Sequence, residues 1–109
     1  MWLFTNTGFV SAVSNGKDLM VRSRDRESLE PLAQSAKTQI LSTSQNDYPY
    51  RVIVTHEIFS RWVAQMAAGI SYKNFKSEVS ATRGYDFAHP LIKVWSAMHE
   101  VEDAGARMI

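Results

Sequence analysis

Two short segments carry most of the closely spaced, chemistry-bearing side chains of this sequence: Asp47-Tyr48-Pro49-Tyr50-Arg51 and Ser71-Tyr72-Lys73-Asn74-Phe75-Lys76. Each mixes aromatic rings with cationic or amide groups. A guanidinium such as that of Arg51 can fork onto a phosphate or carboxylate, and the rings of Tyr48 and Tyr50 can stack on a base. Lys73 and Lys76 are three residues apart, which on a helix puts them on one side with Asn74 turned away. With Arg83 they form a locally basic stretch able to contact phosphates. The candidate binding residues are therefore Tyr48, Tyr50, Arg51, Tyr72, Lys73, Asn74 and Lys76. Each segment also has a purely structural explanation. Proline commonly opens a strand, and tyrosine packs on a sheet with its hydroxyl wet. Tyr72, Phe75 and Val79 can be the buried stripe of a helix whose lysines are solvated.

Other chemistry is sparse. Arg22, Arg24 and Arg26 form a second basic run. Arg22 and Arg24 share a strand face and can follow a nucleic-acid backbone, but this strand lacks the aromatic platforms of RNA-binding sheets. The structural alternative is an edge strand whose charges block aggregation. The absence of cysteine excludes disulfides, thiolate zinc sites and cysteine nucleophiles. His56, His89 and His99 have no second ligand at a standard metal-site spacing, so no metal or cofactor is expected. No nucleophile elbow or glycine-rich phosphate loop occurs. An enzyme would need a constellation assembled by folding, such as His89 with Asp86 or Glu78; the inventory leans away from catalysis.

These groups must be positioned by a small body. The chain has 109 residues, 45% hydrophobic and 21% charged, which suits one α+β domain spanning 1–109 with a real core. A net charge of +1 makes no global case for nucleic acid or an anionic membrane. The apolar runs are too short to span a bilayer, and Met1-Trp2-Leu3-Phe4-Thr5 lacks the features of a signal peptide. A cytoplasmic protein with no membrane contact is expected.

Residues 2–13 read as one strand, or as two pieces broken at Gly8. Asn15-Gly16 signals a hairpin turn into a strand over Leu19–Arg24, with Leu19, Val21 and Ser23 facing one way and Met20, Arg22 and Arg24 the other. A short or kinked helix falls within 26–37, with Ser28 as the N-cap that places Pro31 in the first turn. Strands follow over Thr38–Thr43 and Tyr50–Thr55, joined by turn chemistry at Ser44-Gln45-Asn46-Asp47. Thr55 caps the best-patterned helix, in which Phe59, Trp62, Val63, Met66 and Ile70 recur at helical spacing and Gly69 marks the end. A short helix near 74–83 stops at Gly84, and a last one runs from about 87 to 103 with Pro90 in or before its first turn; residues 104–109 should fray. Leu91, Val94, Trp95, Met98 and Val101 or Glu102 form one side of that last helix, and such a side must be buried somewhere. The expected architecture is a two-layer sandwich: a four-stranded antiparallel sheet in ββαββα order, helices on one face, and an additional C-terminal helix. A shift of 31 positions superposes Val21 on Val52, Leu32 on Val63, Ala33 on Ala64 and Gln34 on Gln65, which fits a duplicated ββα unit and equally two similar amphipathic units.

The segments Met1–Thr5, Gly8-Phe9, Val21–Arg24, Tyr48-Pro49-Tyr50-Arg51-Val52, Tyr72–Lys76 and Val94-Trp95 together resemble a family of small uncharacterised bacterial proteins. The resemblance spans nearly the whole chain, and Tyr-Pro-Tyr-Arg and Tyr-x-Asn-Phe-Lys are its most specific parts. It implies the same order of elements and no activity. Pro31 and Pro90 depart from its unbroken helices.

The expected function is a small non-enzymatic binding protein that acts through protein–protein contact with itself, as a homodimer or larger oligomer, or with another protein. A bacterial accessory protein and a phage-type inhibitor both fit. The alternative is a nucleic-acid or nucleotide binder using the Tyr48–Arg51 and Tyr72–Lys76 segments.

Overall fold

The computed structural model describes residues 1–43 and 47–107, with the backbone path alone for 103–107. The expected turn at 44–46 and the last two residues lie outside the described residues. Contacts gather into two compact units, Met1–Ser71 and Tyr72–Ile109.

The first unit is α+β with an antiparallel sheet of five strands: β1 (Trp2–Thr5), β2 (Gly8–Asn15), β3 (Asp18–Ser23), β4 (Leu41–Ser42) and β5 (Tyr50–Val54), in the order β1-β2-β3-β5-β4. Five strands replace the expected four because, of the two readings of residues 2–13, the broken one holds: Asn6-Thr7 is a full reversal, with Thr5 paired to Gly8. Thr5 Oγ1 closes this turn by accepting the Thr7 N–H at 3.2 Å. The Asn15-Gly16 turn joins β2 to β3 as expected, and Gly16 takes the positive φ such turns need. The strand expected over Thr38–Thr43 contracts to two residues, paired with Arg51 and Tyr50 at a sheet margin. β3 lies between β2 and β5, so Arg22 stands on a central strand and not on an edge.

A 3-10 turn over Glu27–Leu29 leads into α1 (Glu30–Ala36), and α2 spans His56–Ala68. Ser28 is not the N-cap of α1. Leu29 holds that position, and Pro31 still falls in the first turn. The Ser28 hydroxyl instead accepts the Phe9 N–H at 3.2 Å and donates to Asp25 at 2.5 Å, tying the 3-10 turn to β2. Thr55 caps α2 by accepting the Ile58 N–H at 3.1 Å. Both helices and the 3-10 turn pack on one sheet face. Val10, Ala12, Val21, Val52 and Val54 meet Leu29, Leu32, Ala33, Phe59 and Trp62 there in one core. Each of the larger of these side chains contributes about 1.5–3 kcal/mol by leaving water. In this unit the pairs β2-β3 and β5-β4 lie symmetrically about the β3–β5 seam, where Val21 is the direct partner of Val52. The two valines superposed by the 31-residue shift thus sit at the centre of that arrangement.

The second unit is a helical hairpin of α3 (Phe75–Arg83) and α4 (Tyr85–Arg107), which pack against each other. Asn74 caps α3 by accepting the Ser77 N–H at 2.9 Å. Gly84 breaks the chain at φ 89°, a conformation side chains disfavour. α4 starts earlier and runs further than expected, and Pro90 lies inside it. That position leaves the Asp86 carbonyl without its helical donor. Val79 on α3 and Ala88 on α4 are buried.

Candidate functional site

The two opening segments fall in separate units, and their residues have different surroundings. β3–β5 pairing sets Ser23 opposite Tyr50 and Arg22 opposite Arg51, which brings the residues just beyond those pairs together. Tyr48 is nearly buried, at 9% exposure. The guanidinium carbons of Arg22 and Arg24 stand 4.5 and 4.9 Å from its ring centroid. This is a cation–π clasp made by two arginines and one ring distant in sequence. Arg24 also donates to the Asp47 carbonyl at 3.1 Å and forms an ion pair with its carboxylate at 3.3 Å. Both ends of that pair are well exposed, so it contributes little stability. Arg22 donates to the Ser11 hydroxyl at 3.0 Å. Facing arginines on adjacent strands repel, and the ring and hydroxyl that hold Arg22 offset this. Tyr50 packs against the core. Of the Tyr48–Arg51 group, Arg51 alone extends a half-buried charged side chain from the sheet face opposite that core.

In the second unit Tyr72 and Phe75 are half-buried, with ring centroids 6.2 Å apart. Lys73 precedes the Asn74 cap and lies outside the helix, so it does not share a helical side with Lys76. Asn74 uses its side-chain oxygen on the cap. Lys76 is half-buried with its ammonium 4.0 Å from the Trp95 ring centroid. Arg83 lies 3.8 Å over the Phe87 ring in the same way. The expected basic stripe is thus divided: Lys73 faces water, while Lys76 and Arg83 each cover a ring of α4.

The histidines do not gather around a hydroxyl and a carboxylate. His56 opens α2 and is exposed. His89 lies beside the Tyr85 ring, and its Nδ1 is 3.4 Å from the Tyr85 hydroxyl. His99 stands edge-on to Trp95 at 4.7 Å and pairs with Glu102 at 2.9 Å. Ten positions on one helix separate His89 from His99, about 15 Å. No cluster of metal ligands occurs among the described residues. An open groove beside α1, bordered by Arg26, Glu30, Gln34 and Lys37, contains none of the candidate binding residues. Among the described residues no helix is long and apolar enough to cross a membrane.

The most distinctive surface lies on α4. Its apolar side begins buried, with Ala88 enclosed and Phe87 and Leu91 half-buried beside α3. Exposure then climbs along the same side: Val94 39%, Trp95 54%, Met98 58% and Val101 59%. The reason is length. α3 has nine residues and α4 twenty-three, about 13 Å against about 34 Å. α3 reaches back to Trp95, where Lys76 lies over the ring, and the residues of the stripe beyond it are the most exposed. No protein-family model, curated protein or solved structure matches this chain.

The sequence identified this stripe as one side of a helix and not as a surface. The missing quantity was the relative length of α3. The Tyr48 clasp was also not evident, because its partners are joined only by the β3–β5 register.

Proposed function

We propose that this chain is a non-enzymatic binding protein, a two-layer α+β body carrying a helical hairpin, and that it acts through protein–protein contact at the open end of the α4 stripe. The observation that carries the reading is the run Val94, Trp95, Met98 and Val101. These are four large apolar side chains on one helix side, each more than a third exposed. Contiguous apolar surface of this kind on an otherwise polar helix marks a docking face for another helix. Paired bait experiments test this. Wild type is expected to retain a protein, its own chain included, that Met98→Glu loses under identical conditions. Matching recoveries from the two baits would refute the reading. Met98 is 58% exposed, so the substitution leaves the buried contacts of the hairpin intact.

The alternative, nucleic acid along Tyr48–Arg51 and Tyr72–Lys76, has weaker support. The Tyr48 ring is already engaged by Arg22 and Arg24, and the Lys76 ammonium by Trp95. It requires binding that falls steeply with salt and is lost in Arg51→Ala/Lys76→Ala.

A further inference from the structure

The open stretch of α4 is complementary to itself, and we infer that its occupant is the same stretch of a second copy of this chain, paired antiparallel about a two-fold axis near Met98. The inference rests on the docking reading above and adds the identity and orientation of the partner. Three observations lead to it.

The first is spacing. Leu91, Val94, Met98 and Val101 alternate at intervals of three, four and three. This is the seam a helix presents to another helix lying almost parallel or antiparallel to it. The covered half of that seam already meets a helix, α3. The uncovered half continues the same pattern and asks for the same kind of partner. Met98 lies near its middle, so a two-fold axis there lays each open half over the other and leaves both α3 helices outside.

The second is charge. The open stretch ends on a cation at one side and a carboxylate at the other. The Lys76 ammonium stands over Trp95. Glu102, seven residues further along, has a side chain 75% exposed, with Oε2 2.9 Å from His99 Nδ1. Antiparallel pairing brings Lys76 of each copy to the Glu102 end of the other, twice. Parallel pairing sets the two lysines at one level and the two glutamates at another, on opposite flanks of the seam, so neither opposite-charge contact forms. Such doubled, self-complementary contacts are what a two-fold interface requires.

The third is area. The exposed parts of Val94, Trp95, Met98 and Val101 amount to something on the order of 400 Å² per copy, so pairing removes roughly 800 Å², the size of a weak, transient interface. The expected association is therefore micromolar, not an obligate dimer.

The test uses the full chain and sedimentation across that concentration range. Wild type is expected to pass from monomer to dimer. Lys76→Glu and Glu102→Lys should each weaken the dimer by about tenfold, since each reverses both symmetric pairs. Combining them in one chain should restore most of the loss. Because the chain has no cysteine, single introduced cysteines report orientation without interference. Met98→Cys is expected to link into a covalent dimer under mild oxidation, while Val94→Cys and Val101→Cys alone do not. Only a residue near an antiparallel axis meets its own copy within disulfide reach. Equal self-linking at 94 and 101 would overturn the antiparallel pairing. Failure of the double charge variant to regain affinity would overturn the Lys76–Glu102 contact and the orientation built on it. A chain that stays monomeric while its Met98→Glu form still loses a different bound protein would overturn the second copy and leave the docking reading standing.

Discussion

Gly8→Ala offers the sharpest measure of how the sheet is joined to its helical layer. Gly8 opens β2 and is buried beneath the 3-10 turn. A Cβ added there would lie 2.1 Å from Ser28 Oγ, 2.6 Å from Ser28 Cβ and 2.8 Å from Ser28 Cα. Rotating the serine removes only the first clash. It also breaks the bonds from Oγ to the Phe9 N–H and to Asp25. The other two clashes require the turn itself to lift, and Leu29, the next residue, is fully buried. Overpacking of this kind costs about 1–3 kcal/mol, and the two lost hydrogen bonds add about 1 kcal/mol each. The expected loss is about 3–5 kcal/mol, or roughly 2–3 M in urea midpoint for a chain of this size. Fluorescence in a Trp2→Phe/Trp95→Phe background follows Trp62 alone, which reports the core of the first unit. The same substitution in a Ser28→Gly background, where Oγ and Cβ are absent but the 2.8 Å approach to the residue 28 Cα and the Gly8 φ of 156° remain, should cost at least about 1 kcal/mol less than in the wild type. An equal cost in both backgrounds, or a single variant within about 0.5 kcal/mol of its parent, would refute the reasoning.

Three further outcomes follow from individual side chains. Thr55→Ala should lower stability by about 1 kcal/mol in urea unfolding by leaving the Ile58 N–H without its cap. Tyr48→Phe should be nearly neutral, because the ring does the packing, while Tyr48→Ala should cost about 2–4 kcal/mol by emptying the space between Arg22 and Arg24. Lys37 closes α1 in the left-handed region at φ 53°, ψ 44°. Lys37→Gly should therefore raise the thermal midpoint, by up to about 1 kcal/mol of stability.

Local signals transferred well from sequence to structure. Thr55 and the Asn15-Gly16 turn each act through bonds to near neighbours, so the residues alone specify them. The alternation of Val21 and Ser23 against Met20 and Arg22 also needs no distant partner. Features set by distant contacts were not legible. β4 has two residues because pairing to β5 reaches only Leu41 and Ser42. Ser28 has capping chemistry, but Phe9 and Asp25 claim its hydroxyl first. Pro90 sits within α4, where a rule about local backbone would have started the helix later. The candidate residues followed the same division. Their types were evident, but the rings that Arg22, Arg24 and Lys76 cover could be known only from the fold.

The strand order carries a consequence for how the first unit assembles in time. β1, β2 and β3 are joined by tight turns, so their pairing closes only short loops and can form within microseconds. The β3–β5 seam must wait until residues 24–49 close into a loop, an entropic delay that local pairing does not face. The meander should thus stand first as a template with one bare margin. β5 then docks on it and brings α2 across the face that already carries the branched side chains of β2 and β3. On this sequence of events Val52→Ala mainly accelerates unfolding, while Val10→Ala mainly slows folding, a contrast that stopped-flow kinetics would display as different limbs of the chevron.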